Sequence, residues 1–170
     1  MNIDKYKQKP NVEQTQEDIR VLKELINSDQ AAVAEAKIKQ LSNKHPLSIN
    51  LLNLLGVSLI MQNKLDEAES TYLNLIKINA NFAEAYNNLG NIYLKQKKTD
   101  KAIYHFKKAI DNKPDLIQAH FNLAKIYTNL GDSLQLKNKI KESIKNYEQA
   151  INNYPDYADA HNNLGIALTK

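Results

Sequence analysis

The chain has 170 residues, 42% hydrophobic and 25% charged, with four glycines, four prolines, no cysteine and a formal net charge of +4. Such a chain is too apolar to be disordered and long enough to bury a core. The absence of cysteine excludes disulfides, thiolate nucleophiles and cysteine-based zinc or iron–sulfur sites.

Scarce helix breakers and abundant Leu, Ala, Ile and Lys point to helices throughout. The start is polar through Gln16 and lacks the apolar stretch of a secretory signal, so residues 1–15 are expected to form a flexible leader. Ile19, Val21, Leu22, Leu25 and Ile26 then fall on one helical face. Thr15-x-x-Asp18 has the form of a capping box at its start. Asp29 is expected to open a second helix with Ala31, Ala34, Ile38 and Leu41 turned inward, closed by Pro46. The longest apolar stretch, Leu51 to Met61, is broken by Asn53, Gly56 and Ser58. It falls short of the roughly 20 residues of a membrane span, so a soluble cytoplasmic protein is expected.

From residue 50 onward the chain repeats itself. Leu54-Leu55-Gly56, Asn88-Leu89-Gly90 and Asn122-Leu123-Ala124 recur at spacings of 34, and Asn163-Leu164-Gly165 follows after 41. The second half of each unit recurs too, from Asn63-Lys64-Leu65, Lys97-Lys98-Thr99 and Asn138-Lys139-Ile140 to the aromatics Tyr72, Phe106 and Tyr147. Ala80, Pro114 and Pro155 mark the turns between units. Within one unit, Ala85, Tyr86, Leu89, Ile92 and Tyr93 form one helical face, and Ala102, Ile103, Phe106, Ala109 and Ile110 another. Lys95 to Thr99 is the turn between them, with Asp100 placed to cap the second helix. Glycine at Gly90 costs a helix about 1 kcal/mol relative to alanine, so its use there predicts close packing of the two helices.

These residues resemble the tetratricopeptide repeat. Its 34-residue signature is met by Tyr86-x2-Leu89-Gly90-x2-Tyr93…Ala102-x3-Phe106…Pro114, with Tyr in place of Trp. The resemblance runs from near Glu17 to Lys170. It implies an all-α, right-handed superhelix (an α-solenoid) of antiparallel helix pairs, about four and a half repeats long. The units divide as a degenerate repeat at 16–46, then 47–80, 81–114, 115–155 with seven extra residues, and a half repeat at 156–170. The extra residues precede the Asn138 turn. Leu123, Tyr127, Leu130 and Leu134 continue one stripe, which predicts a first helix from about Asp115 to Leu136, lengthened by about 10 Å. A turn at Gly131-Asp132, lengthening the second helix instead, is the rival reading.

Little in the chain reads as catalytic. His45, His105, His120 and His161 form no metal-ligand cluster by spacing, and no nucleophile triad or phosphate-cradling loop is present. His120 and His161 are read as packing residues with a polar tip. No cofactor and no catalytic or metal residue is expected, and the resemblance implies a non-catalytic interaction scaffold. In that family the first helix of each unit lines the concave groove. The slot before Leu-Gly holds Leu54, Asn88, Asn122 and Asn163, so three asparagines are expected to run along the groove. Each amide offers a donor and an acceptor and can hold a peptide backbone at two points. Asn87, Asn91, Asn129, Asn162 and the lone charge of Lys125 lie beside this row, which resembles the asparagine ladder in the repeat arm of O-GlcNAc transferase. Leu54 interrupts it. The carboxylate clamp of co-chaperone repeats is not met, since Asn53, Asn87, Asp159 and Asn163 occupy the slots where cations are needed.

Two further readings bear on partners. Lys137, Lys139, Lys141 and Lys145, with Lys107, Lys108 and Lys113, could attract nucleic acid, but Asp and Glu are interspersed among them and Arg20 is the sole arginine. A solvated outer face is the simpler reading. Leu164, Ala167 and Leu168 repeat the stripe of Leu89, Ile92 and Tyr93, with no second helix after them in the sequence. A repeat array needs its last apolar face covered. This chain is therefore expected either to be the N-terminal recruitment arm of a larger glycosyl-, sulfo- or methyltransferase, or to form a homo-oligomer through that helix.

Overall fold

The computed structural model describes residues 12–43 and 48–170, with side chains from residue 16 onward. Nine helices and no strand occur among the described residues. They are α1 (Val12–Asn27), α2 (Ala31–Ser42), α3 (Ile49–Met61), α4 (Leu65–Ile78), α5 (Ala83–Lys95), α6 (Thr99–Asn112), α7 (Ile117–Leu136), α8 (Ile140–Asn153) and α9 (Ala158–Leu168). The chain divides into two compact units, Met1–Ala80 and Asn81–Lys170. Expectations for residues 1–11, His45 and Pro46 lie outside the described residues.

Four tight turns join the helices of each hairpin, and one device builds them all. Asp29, Asn63, Lys97 and Asn138 adopt φ of 58–59°. The amide N–H of the following residue donates back five residues, as in Lys64 to the Leu59 carbonyl at 2.9 Å and Lys98 to the Tyr93 carbonyl at 2.8 Å. This closes the orphan carbonyls of the helix end. Asn and Asp tolerate the left-handed conformation through their short polar side chains, whereas Lys97 carries its full steric cost.

Three sequence expectations are corrected here. Asp29 does not open α2; it is the left-handed residue that ends α1, and α2 begins at Ala31. Asp100 does not cap α6. Lys98 occupies the cap position without a side-chain bond, and Asp100 sits inside the first turn, where its charge favours the helix dipole. Thr15 does not open α1 either, because the helix already starts at Val12 and Thr15 lies inside it. Val12, Glu13 and Gln14 contain no helix breaker. Among the described helices, α3 has a side-chain cap: Ser48 Oγ accepts from the Leu51 amide at 3.4 Å.

In the first unit, α1, α2 and α3 enclose a core of Leu22, Ile26, Ala34, Ile38, Leu51 and Leu54. Leu54, which breaks the asparagine series, is therefore a core residue. Buried Ser58 ties α3 to α2 by donating to the Ala31 carbonyl at 2.5 Å. Glu35 is buried yet charged. It accepts from Lys39, from Lys64 at 2.8 Å and from Gln62 at 2.8 Å. The two ammonium groups hold its carboxyl down to about 2.

In each full hairpin a glycine of the first helix receives an aromatic ring from the second. Gly56 abuts Tyr72, a Cβ on Gly90 would lie 2.6 Å from the Phe106 ring, and one on Gly131 would lie 2.5 Å from the Tyr147 ring. The close packing expected at Gly90 is thus present. All three pairs are sixteen residues apart.

The seven extra residues lengthen α7 to 20 residues, against 13 for α3 and α5, while α8 keeps the 14 of α4 and α6. The Gly131-Asp132 turn does not form. The glycine slot corrects the register: Gly131, rather than Ala124, matches Gly90. Ala124 packs instead with Ala150 and Ala160. One part of the stripe also departs from expectation, since Leu130 is exposed. Asn122 bonds to Asn87 and Asn91 and so lies level with them, and Leu130 stands about 12 Å further along α7, at or past the last turn of α5.

Candidate functional site

The first helices of the second unit, α5, α7 and α9, carry the candidate residues. Asn87, Asn88, Asn91, Asn122 and Asn163 are half-buried, whereas Lys125, Asn129 and Asn162 are exposed. Three of them meet at one point: Asn122 Nδ2 donates to Asn87 Oδ1 and to Asn91 Oδ1, both at 3.2 Å. With their oxygens engaged, Asn87 and Asn91 retain amide donors, and Asn122 retains its oxygen as an acceptor. The cluster joins α5 to α7 and presents both hydrogen-bonding roles side by side.

Asn163 does not join this cluster. Its Nδ2 donates to Asp132 Oδ1 at 2.8 Å, and its oxygen accepts from Asn162 at 3.4 Å. The same Asp132 oxygen accepts from the Tyr147 hydroxyl at 2.8 Å, which also reaches Gln135 Oε1 at 2.8 Å. Burial, together with the Asp132 carboxylate, pushes the Tyr147 phenol well above the ordinary tyrosine range. Asp132 thus fixes α8 and α9 to α7 at once. Beside it, Asp132, Gln135, Leu136, Asn163, Ile166 and Lys170 line an open cleft of about 300 Å³.

Asp132, Gln135 and Tyr147 were not among the expected site residues. A signal for them exists in the sequence. Asn129-Leu130-Gly131 repeats the triplets Asn88-Leu89-Gly90 and Asn163-Leu164-Gly165, and Asp132 then occupies the place of Asn91. The match at Asn122-Leu123-Ala124 masks it, because an insertion of seven residues leaves two registers on one helical face.

The histidines have local roles. Nε2 of His120 donates to the Pro114 carbonyl at 2.9 Å, and Nε2 of His161 to the Pro155 carbonyl at 2.7 Å; each ring locks the turn before its own helix. His105 stacks on Tyr93, with ring centroids 5.0 Å apart. Among the described residues no three potential metal ligands gather. Lys108, Lys113 and Lys139 lie beside Asp111, Glu84 and Glu142, at 3.0–3.5 Å. No described helix is long and apolar enough to cross a membrane.

The family models agree with this anatomy. The tetratricopeptide repeat model matches residues 83–116, and a second, described as TPR repeat, matches 56–97 and 131–170. Together they span more than half of the chain, and the last match starts at Gly131, in the register that the Tyr147 contact defines. The chain belongs to the tetratricopeptide repeat (TPR) family. It is an all-α protein of helix hairpins of the α-solenoid class, and TPR proteins are in general non-catalytic scaffolds for protein–protein interaction. No curated protein matches it in sequence. Among solved structures it is similar to MamA (23% identity, TM-score 0.66, 90% of this chain and 86% of that one). It is also similar to a TPR protein of Thermus thermophilus, TTC0263 (18%, 0.64, 90% and 80%). A third is YrrB, described as a TPR protein with an unusual peptide-binding site (15%, 0.64, 89% and 75%). At these identities the likeness is one of fold.

Proposed function

We propose that this TPR protein holds an extended peptide against the α5–α7–α9 face of its second unit. The observation that carries the reading is the Asn87–Asn91–Asn122 cluster. Its members are fixed by one another, so little side-chain entropy is lost on binding, and they offer donors and an acceptor together. That pairing complements the alternating N–H and C=O groups of a peptide backbone and is indifferent to its side chains. Asn88 and Asn163 extend the contact along the face, with Lys125, Asn129 and Asn162 at its solvent edge. The cleft beside Asp132 is large enough for one peptide side chain. Its carboxylate favours a residue that donates hydrogen bonds.

The peptide-binding description of YrrB is consistent with this mode. The test is the Asn88→Ala, Asn122→Ala, Asn163→Ala triple variant against an immobilised library of extended peptides. Loss of binding at an unchanged helical content supports the site, and unchanged affinity removes it. The reading as a recruitment arm of a larger transferase shares this groove and differs only in what the peptide is brought to.

A further inference from the structure

One contact is made twice in the second unit, between α5 and α7 and again between α7 and α9. Asn122 Nδ2 donates to Asn91 Oδ1 at 3.2 Å, and Asn163 Nδ2 donates to Asp132 Oδ1 at 2.8 Å; in both, donor and acceptor stand 31 residues apart. Only the acceptor differs, an amide in the first and a carboxylate in the second. An amide is enough to join two such helices, so the negative charge of Asp132 is surplus to that bond. The charge is also unmatched. The donors to Asp132, Asn163 and the Tyr147 hydroxyl, are neutral and share Oδ1. Among the described residues no ion pair uses Asp132, and Oδ2 takes part in no hydrogen bond. Lys170 lines the same cleft without pairing with it. The Tyr147 hydroxyl has one proton for two acceptors, Asp132 Oδ1 and Gln135 Oε1, each 2.8 Å away.

We propose that the cleft between α7 and α9 takes an arginine side chain of the bound peptide. In drawing the arginine from a bound peptide, this assignment rests on the groove reading, and it adds a preference to a contact otherwise indifferent to side chains. The cleft, of about 300 Å³, has room for such a side chain. Exposed Leu136 and Ile166 form walls on which its methylenes can lie, while Asp132 and Gln135 present oxygens to its head. A guanidinium is planar, keeps its charge, and holds its donors in a rigid fork, so it can serve Asp132 and Gln135 together. An ammonium meets them as a point charge. An acidic side chain is repelled, and an aliphatic one gains only the walls. Asn122 and Asp132 are ten residues apart on α7. That is about 15 Å, which an extended peptide covers in about five residues. The arginine is therefore expected about five residues from the point of the peptide held by the Asn87–Asn91–Asn122 cluster.

The probe is N-acetyl-arginine N-methylamide, titrated into the isotope-labelled full chain and followed by NMR, with the citrulline and lysine analogues as controls. Citrulline keeps the shape of arginine without its charge. Saturable shifts of the Gln135 and Asn163 side-chain amides are expected, with affinity at least fivefold lower for either control and at least fivefold lower in Asp132→Asn. That variant is expected to fold as the parent does, because asparagine already accepts the equivalent bond at Asn91. An unchanged thermal midpoint checks this. An Asn88→Ala, Asn122→Ala double variant leaves the cleft residues in place and is expected to bind the arginine probe as the parent does, so the amide cluster and the cleft fail or succeed separately. Among library peptides that the parent retains, replacing arginine by citrulline is expected to weaken capture at least fivefold, and Asp132→Asn to erase that difference. The assignment is overturned by the absence of saturable shifts at Gln135 and Asn163, by equal binding of either analogue, or by shifts that Asp132→Asn leaves unchanged. Retained peptides with no preference for arginine overturn it too, while leaving the groove reading in place.

Discussion

Glycine shows how one residue type takes its meaning from its neighbours. In a helix interior, replacing glycine by alanine gains about 1 kcal/mol in propensity. At Gly90 that gain is opposed by a methyl group placed 2.6 Å from the buried Phe106 ring, and Phe106 is wholly enclosed and has nowhere to retreat. Overpacking of this kind costs about 1–3 kcal/mol, so Gly90→Ala is expected to lose the propensity gain and to be a net destabilisation of up to about 2 kcal/mol. Gly165 stands in the same Asn-Leu-Gly triplet with open space around it. Gly165→Ala is therefore expected to stabilise the chain by up to about 1 kcal/mol. Urea unfolding of the two variants reads both effects, and a Gly90→Ala variant stabilised as much as Gly165→Ala removes the steric account. The close packing of Gly90 was legible in the sequence, because a glycine inside a helical pattern needs a reason. The bonds of Asn122 and Asn163 were not. Periodicity assigns a residue to a face, but which amide reaches which neighbour depends on the stagger between helices, and the bonded residues are 31 to 35 positions apart in sequence.

At the level of the helix, the seven-residue insertion in α7 explains both what the repeat pattern revealed and where it misled. Seven residues turn about 700°, some 20° short of two full turns, so the helix grows without rotating its faces. Toward α5, α7 keeps the earlier register, with Asn122 on Asn87 and Asn91. Toward α8 and α9 it keeps the later one, with Gly131 under Tyr147 and Asp132 on Asn163. A single alignment of the unit can follow only one of these, and spacing alone followed the first. Helix boundaries suffered similarly. The turns are closed by left-handed residues and backbone bonds, so searching for side-chain caps at Thr15, Asp29 and Asp100 placed the starts wrongly. The insertion should be removable. Deleting residues 124–130 joins Leu123 to Gly131 and restores an ordinary Asn-Leu-Gly unit. Ile117 then takes over the position of Ala124 against Ala150 and Ala160, so the deletion is paired with Ile117→Ala. This shortened chain is expected to unfold cooperatively by circular dichroism. A deletion of five residues instead rotates the rest of α7 by about 140° relative to its start and is expected to lose that cooperativity. Equal behaviour of the two deletions contradicts the two-register account.

Over the whole chain, two groups whose titration the fold shifts, Glu35 and Tyr147, lie one in each unit and act at opposite ends of the pH scale. Glu35, in the first unit, is held down to about 2 from an ordinary value of 4.5 by its bonds to Lys39 and Lys64. A depressed carboxyl contributes stability that is complete above about pH 4.5 and fades as the pH falls toward 2. The contribution is on the order of 1–2 kcal/mol, less than the shift alone implies, because both lysines are substantially solvated. Tyr147, in the second unit, is raised by burial and by Asp132. The fold favours its neutral form, so its contribution is complete below about pH 10 and is lost as the pH rises beyond. Acid is therefore expected to loosen α1–α3 first, and alkali the α7–α8 hairpin. Hydrogen exchange read by mass spectrometry at successive pH values resolves the two. Glu35→Gln should flatten the acid response of the first unit without touching the second. Tyr147→Phe keeps the ring on Gly131 and gives up the hydroxyl bonds to Asp132 and Gln135. It is expected to cost about 1 kcal/mol at neutral pH and to weaken the alkaline response of the second unit, of which Tyr157, raised by burial and by Asp159, retains a part. Because Asp132 also anchors Asn163, exchange in α9 is expected to rise with that in α8 in this variant, and α9 remaining as protected as in the parent contradicts the coupling through Asp132.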